Sequence, residues 1–465
     1  DAYYAENDFV KNRYTQDFKR LMKEHWIEKD ENGFIQKNVK YPSVSQSKSA
    51  NSPWEEIGPW DYDHEQAMIF EVQSPGATHV YTVEQSPINS DLIVAGTATA
   101  GLWKSTDKGL NWVLLTRELD VNSVYSIALD PADEDIIFFG EGNGDIWKTI
   151  DGGLNWFKTG SLSFQSTSYF CRDLKFIGAN TLLAATNMGL FRSNNGGLDW
   201  VSVQGGEHME IEIQPGNAST LYTVRLSANK TQFYKSLDNG LTWTLKPSGW
   251  PNPLAGDEQK RCEISVSNAD PNIVYVLASG IVGPDEGLYG IYKSIDAGES
   301  FTFECCNGSP VGTPTVSNPN TLGWSNDGTG DGGQIYYDLS MGASPTNSNK
   351  LFTGGINVWR SEDAGSSWQL NSHWVTWVDN LKHRYNHADV HDIKFFENGS
   401  QVDMWVASDG GLYYSSDQGD NLEPRMHGMH GTDFWGFDAG FKNGYAMVGG
   451  TYHNGTIIRY DDIYK

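Results

Sequence analysis

Short runs of apolar or alternating residues recur through most of this chain, each bounded by turn-forming residues. Val80–Val83, Leu92–Thr97 and Gly101–Lys104 are three such runs, with Pro87-Ile-Asn-Ser-Asp91 between the first two. One period later Val124–Leu129, Pro131-Ala-Asp-Glu-Asp135 and Ile136–Gly140 repeat the design. Period-two alternation with closely spaced turn signals predicts short antiparallel strands. Residues 1–26 depart from this: Phe9, Tyr14, Phe18, Leu21 and Trp26 recur at a helical spacing among charged residues, which predicts one amphipathic helix. Ser43–Ser52 is polar and reads as a linker, and Trp54-Glu-Glu-Ile-Gly-Pro59 opens the first strand. The expected division is therefore 1–50, helix and linker, and 51–465, an all-β domain.

Between the strand runs a motif of the form Ser-x-Asp-x-Gly-x-x-Trp returns seven times, with its acidic position at Asp107, Asp151, Asn195, Asp238, Asp296, Asp363 and Asp417. The intervals are 44, 44, 43, 58, 67 and 54 residues, a period that belongs to propellers and other repeat architectures. An Asp at such a turn accepts hydrogen bonds from nearby backbone N–H groups. The Gly supplies a positive φ, and the Trp covers the turn against the neighbouring repeat. Asn195 can make a similar local bond, while Phe301 and Leu422 stand in for Trp and predict looser cover at those two turns.

The motif resembles the Asp-box, or BNR repeat, of β-propellers, in which it joins the third and fourth strands of each four-stranded blade. Three further segments resemble sortilin-like Asp-box proteins secreted by Bacteroidetes: Gln334-Ile-Tyr-Tyr-Asp-Leu339, His387-Ala-Asp-Val-His391 with Ser408-Asp-Gly-Gly411, and Gly449-Gly-Thr-Tyr-His-Asn-Gly-Thr456. The resemblance covers nearly the whole chain and implies an all-β Asp-box propeller of about eight blades, with more if the full-length protein continues. It implies an extracellular or cell-surface location, export by type IX secretion, and contact with that machinery or with outer-membrane surface components. Many relatives read Gln-Asp-Asn-Gly where this chain has Tyr452-His-Asn-Gly455, so a role tied to that acidic residue does not transfer. Beyond the seventh motif, Phe434–Phe441, Tyr445–Gly450 and Thr456–Tyr460 predict more strands without another box. Either the Trp54 strand joins them to close a ring of eight, or further blades follow.

A net charge of −26 argues against nucleic acid or an anionic membrane as partner. No stretch is apolar for long enough to span a bilayer, and Asp1 is compatible with a mature N-terminus left by a cleaved signal. Among the four cysteines, Cys171, Cys262, Cys305 and Cys306, bridges Cys262–Cys305 and Cys262–Cys306 are both compatible with the count.

Four groups are candidates for chemistry. His387, Asp389 and His391 alternate, so on an inner strand they would share a face, as metal ligands or as channel-lining polar residues, with His427, His430 or His453 as a fourth group. Asp327 and Asp331 on a Gly-rich insertion offer oxygen ligands for calcium, or simply mark a flexible loop. No other cofactor is suggested. Trp324, Trp374 and Trp377, together with Trp250, lie outside the motifs near insertions at Pro251–Arg261 and Asn307–Gly333, where a rim could bind sugar faces or peptide side chains. No carboxylate pair can be singled out for glycoside hydrolysis among 59 acidic residues. The residues thus favour a non-catalytic module for a protein or glycan partner, with a polysaccharide-active glycoside hydrolase as the alternative.

Overall fold

The computed structural model describes residues 59–465 except 60, 70, 72–73, 160–169, 284, 306–312, 441–445, 461–462 and 465. The expected N-terminal helix, its linker and the Trp54 strand lie outside the described residues. Apart from a short helix, α1 (His64–Ile69), and a 3-10 turn at Asp379–Arg384, regular structure in the described residues is β.

Among the described residues thirty-two strands, β1–β32 in chain order, form eight antiparallel sheets of four. They are β1–β4 over 80–114, β5–β8 over 124–158, β9–β12 over 171–205, β13–β16 over 207–245, β17–β20 over 258–305, β21–β24 over 340–372, β25–β28 over 390–424 and β29–β32 over 434–464. Within each sheet, strands pair in sequence order. This is a multi-blade β-propeller. The insertion expected to be a loop at Pro251–Arg261 is shorter, because β17 already begins at Glu258.

The chain divides into two compact units, and the larger comprises Ile57–Gly436, Gly449–Ile457 and Tyr464–Lys465. In it the first strands of successive sheets pack side by side, β1 on β5, β5 on β9, and so on to β25. β25 packs in turn on β1, so seven sheets close a ring and the eighth follows them in sequence. The seam between last and first is apolar and polar together. Trp405 shares a buried cluster with Val83 and Ile93, and its indole N–H donates to Gln85 Oε1 at 2.9 Å. Lys108 reaches the buried Asp403 carboxylate at 2.8 Å across the same seam. Elsewhere the sheets bury matching apolar faces, such as Leu92, Val94 and Leu102 against Ile127, Ile137 and Phe139. Second strands are therefore covered on both faces, as in β2 (Ile93–Thr97), all of whose residues are buried.

Each copy of the seven-fold motif turns the chain from the third to the fourth strand of a sheet. At the first, Ser105 Oγ donates to Asp107 Oδ1 at 2.8 Å and accepts the Gly109 N–H at 2.8 Å. Asp107 Oδ1 also accepts the Asn111 N–H, and Oδ2 the Asn111 side-chain amide. Lys108 and Gly109 have φ of 59° and 79°, two consecutive left-handed residues of the kind a tight hairpin needs. In the third copy the roles invert: Asn195 Nδ2 donates to the Asp199 carboxylate at 3.0 Å. The cover at Phe301 and Leu422 is not looser, since both are as buried as Trp112. Phe301 achieves this by packing edge-on against Phe233 and Trp250, so the Trp250 insertion supplies the missing ring area.

Cys262 is a free, buried thiol, as is Cys171, so neither bridge to Cys262 forms. Its sulfur is spent on Thr231 Oγ1 at 3.4 Å.

Candidate functional site

The first strands of the seven sheets line a cavity of about 740 Å3. Because side chains alternate along a strand, every second residue of these strands faces it. Lys394 pairs there with Glu84 at 2.5 Å and with Asp392 at 3.3 Å, Lys175 with Glu212 and Asp173, and Arg261 with Glu263 at 2.8 Å. Glu210 accepts the Ile264 N–H, and burial together with the Glu263 charge raises its carboxyl well above the usual range. Aromatic rings form another part of the wall. Tyr81 and Tyr125 stack at 4.9 Å, Tyr125 and Phe170 follow at 5.7 Å, and the Arg172 guanidinium lies 4.4 Å over the Phe170 ring.

Next to Tyr81, five elements deliver polar side chains to one buried cluster. His79 immediately precedes β1 (Val80–Gln85), and His391 is the second residue of β25 (Val390–Asn398). Asp409 sits in the turn between β26 (Gln401–Ser408) and β27 (Gly411–Ser415). Tyr337 lies just ahead of β21 (Ser340–Ala343), and His453 in the turn after β30 (Met447–Thr451). Asp409 is the hub. Its Oδ1 lies 2.5 Å from His79 Nε2 and 2.6 Å from His391 Nε2, and its Oδ2 lies 2.9 Å from His453 Nδ1. The Tyr337 hydroxyl is 3.0 Å from both oxygens. Asp389 adds a second carboxylate, 3.5 Å from His453 Nδ1, and accepts the Gln334 side-chain amide at 2.6 Å.

Electrostatics follow from this packing. Hydrogen bonds to Asp389 and Asp409 raise His453 to about 11, making it an imidazolium. Burial opposes ionisation of Asp409, yet bonds from His391, His453 and His79 hold its carboxyl far below the usual value. Burial lowers His79, outweighing its bond to Asp409. Burial, then the Asp409 charge, pushes the Tyr337 hydroxyl far up. Behind Tyr337, Asp338 is 1 % exposed and neither of its oxygens has a hydrogen-bond partner among the described residues. Burial and the Asp389 charge raise it well above the ordinary carboxyl range.

Of the residues expected to act together, Asp389 and His391 join this cluster and His387 does not. The expected alternation needs strand geometry from 387 to 391, but Asp389 has φ 62°, a left-handed residue that turns its neighbours onto different faces. The His387 ring instead bonds to Ser74 Oγ at 2.9 Å and to the Ala388 carbonyl at 3.0 Å. His453 is the fourth-group candidate that arrives. His427 faces Asp61, and His430 packs edge-on against Trp103. Asp327 accepts from Thr329 of its own turn, and Asp331 is exposed; neither joins a converging group of three ligands among the described residues. The loop that carries them is tied down by Asn320, whose amide donates to the Gly330 and Gly332 carbonyls. Trp324 and Trp374 do meet, edge-to-face at 5.5 Å, while Trp377 is 45 % exposed; none of the three lines the cavity. His79, Tyr337 and Asp409 are the members that residue spacing missed. Asp409, Tyr337 and His453 all fall in the segments that carry the family resemblance, which was the available signal.

No protein-family model matches the chain, and no curated protein does. Solved structures do. The GH74 xyloglucanase from Xanthomonas campestris superposes with a TM-score of 0.57 at 15% identity, over 82% of this chain and 59% of that one. The chain has a β-propeller fold. The GH74 enzyme from Niastella koreensis gives 0.57 at 19% identity over 84% of this chain and 60% of that one. An ancestral GH74 enzyme gives 0.60 at 16% identity, over 85% and 55%. This chain thus spans less than two thirds of the length of these relatives, and at such identities the likeness is one of fold. No helix among the described residues is long and apolar enough to cross a membrane.

Proposed function

We propose that this protein is a secreted or cell-surface β-propeller that binds a protein or glycan partner and has no catalysis of its own. In this reading it is a sortilin-like Asp-box protein of the kind Bacteroidetes export by type IX secretion. The observation that carries it is the division of labour in the cavity wall. Tyr81, Tyr125 and Phe170 present consecutive ring faces, which suit sugar rings or apolar side chains. The carboxylates of the same wall are already bonded to Lys394, Lys175, Arg261 or backbone. Hydrolysis of a glycoside needs an acid and a second, free carboxylate roughly 5–10 Å apart.

One observation favours the alternative, a polysaccharide-active glycoside hydrolase: burial, then the Glu263 charge, raise the Glu210 carboxyl well above its usual range, the direction a general acid needs. Incubation with a panel of soluble polysaccharides, xyloglucan included, separates the two. Retention without release of reducing ends, weakened by Tyr125→Ala, supports the binding module. Steady release of reducing ends, lost in Glu210→Gln, would establish the hydrolase. If no glycan is retained, cross-linking to cell-surface proteins, with Tyr125→Ala as the comparison, tests the protein partner.

A further inference from the structure

We propose that His79, His391 and Asp409 bind one divalent transition-metal ion, Zn2+ or an ion of similar preference for imidazole and carboxylate. The site lies where the cavity meets the start of β1 and β25. Three observations lead there, and none depends on which partner the cavity takes.

The first is convergence. His79, just ahead of β1, and His391, on β25, lie on either side of the ring seam, yet direct their Nε2 atoms at one oxygen of Asp409, with 3.4 Å between the two nitrogens. Two imidazoles on a tetrahedral zinc at 2.0–2.1 Å have nitrogens about 3.3 Å apart. Without an ion the two nitrogens sit at hydrogen-bond distance from the Asp409 oxygen, 2.5 and 2.6 Å, and these separations would open to about 3.3 Å around a tetrahedral ion, while the nitrogen pair is already at that spacing. An ion between them draws all three ligand atoms to one point.

The second is charge. Asp338, Asp389 and Asp409 are at most 3 % exposed, and among the described residues no Lys or Arg forms an ion pair with any of them. Asp338 has both oxygens buried and unpartnered. His453 Nδ1 lies 2.9 Å from Asp409 and 3.5 Å from Asp389, so one imidazole serves two buried carboxylates, and carboxylates at this depth call for paired charge or a metal. A bound dication supplies two positive charges at the hub.

The third is support and access. Metal ligands are normally fixed by an outer layer of hydrogen bonds. Here the Tyr337 hydroxyl bonds to Asp409, and the Asn454 side-chain amide donates to the Asp409 carbonyl at 3.1 Å. His391 and Tyr337 also line the cavity, so an ion and a ligand atom can reach the cluster from it. Three protein ligands leave a fourth position for water or a group of the bound partner, the arrangement of open rather than purely structural zinc sites.

The test uses the whole chain, stripped with chelator and titrated calorimetrically with Zn2+ alone. One equivalent should bind in the wild type and in His387→Ala, whose ring lies outside the cluster. Affinity should fall at least about 100-fold in His79→Ala and in Asp409→Asn. If either cluster variant fails to fold, the zinc-edge X-ray absorption spectrum of the loaded wild type decides, with two imidazoles in the first shell as the expected result. Absence of binding to the stripped wild type, unchanged affinity in a folded cluster variant, or a spectrum without imidazole would each overturn the site.

Discussion

At the outer turns, Asp107 and its counterparts sit near solvent and take hydrogen bonds from residues two to four positions away. At the channel end, Asp338, Asp389 and Asp409 are buried, and Asp409 draws its partners from several blades, His79 from across the ring seam. The same residue type thus serves local structure in one region and long-range chemistry in the other. Fully bonded and partly hydrated, an outer carboxylate stabilises its turn. A buried carboxylate is favourable only as far as its partners offset desolvation. Asp409 has four donors around it, whereas Asp338 has none among the described residues. The channel end therefore combines a strongly held hub with a neighbour held at a cost.

The largest effect should come from the hub. Asp409→Ala leaves three imidazoles and a tyrosine hydroxyl without their common acceptor in a buried place, and should lower unfolding free energy by about 3–5 kcal/mol. Denaturant unfolding of the metal-free protein measures it, and a loss under about 1 kcal/mol would mean that the cluster is not the connected unit its distances describe.

Next comes an outer turn. Ser236 Oγ accepts the buried Gly240 N–H at 2.9 Å and donates to Asp238, so Ser236→Ala orphans a buried donor. The expected loss is about 2 kcal/mol, with the cavity's ligand binding unchanged. A change in binding with no change in stability would remove the division between the two regions.

Acid should act oppositely on them. Hydrogen bonds hold Asp151 down to about 2, the Asn155 side chain first among them, and bonds from Ser300 and Ser294 overcome burial to do the same at Asp296. Carboxyls depressed in the folded state contribute stability above their unfolded value of about 4 and lose it as pH falls toward 2. Asp338 is raised, so its cost is absent below about pH 4 and grows as pH rises. Thermal unfolding of Thr242→Val, which loses the Asp238 contact, should accordingly converge on wild type in acid.

How much of this could be read from residue order follows from the same contrast. From Ser105 to Asn111 every partner lies within four positions, so the seven turns were visible as a period, while the strands of the eighth sheet, which carry no such motif, were legible only as apolar runs. The ring's closure was not, because it depends on Trp405 finding Gln85, 320 positions away. The cluster was half visible. Asp389 and His391 drew notice by alternation, but alternation also nominated His387, and the left-handed backbone at Asp389 undoes that pattern. His79 precedes an ordinary strand with nothing to distinguish it, and only the fold brings it to His391.

The central claim, that carboxylates stabilise the outer turns while one at the channel end is carried at a cost, is tested most directly by Asp338→Asn. Its unfolding free energy should be compared with that of the metal-free wild type across pH. The asparagine variant should be the more stable by about 1 kcal/mol at pH 7, because it never has to ionise or take up a proton on folding, and the advantage should vanish below about pH 4. A variant equally or less stable than wild type at pH 7 would contradict the account, since it would show Asp338 to be bonded as favourably as the aspartates of the outer turns.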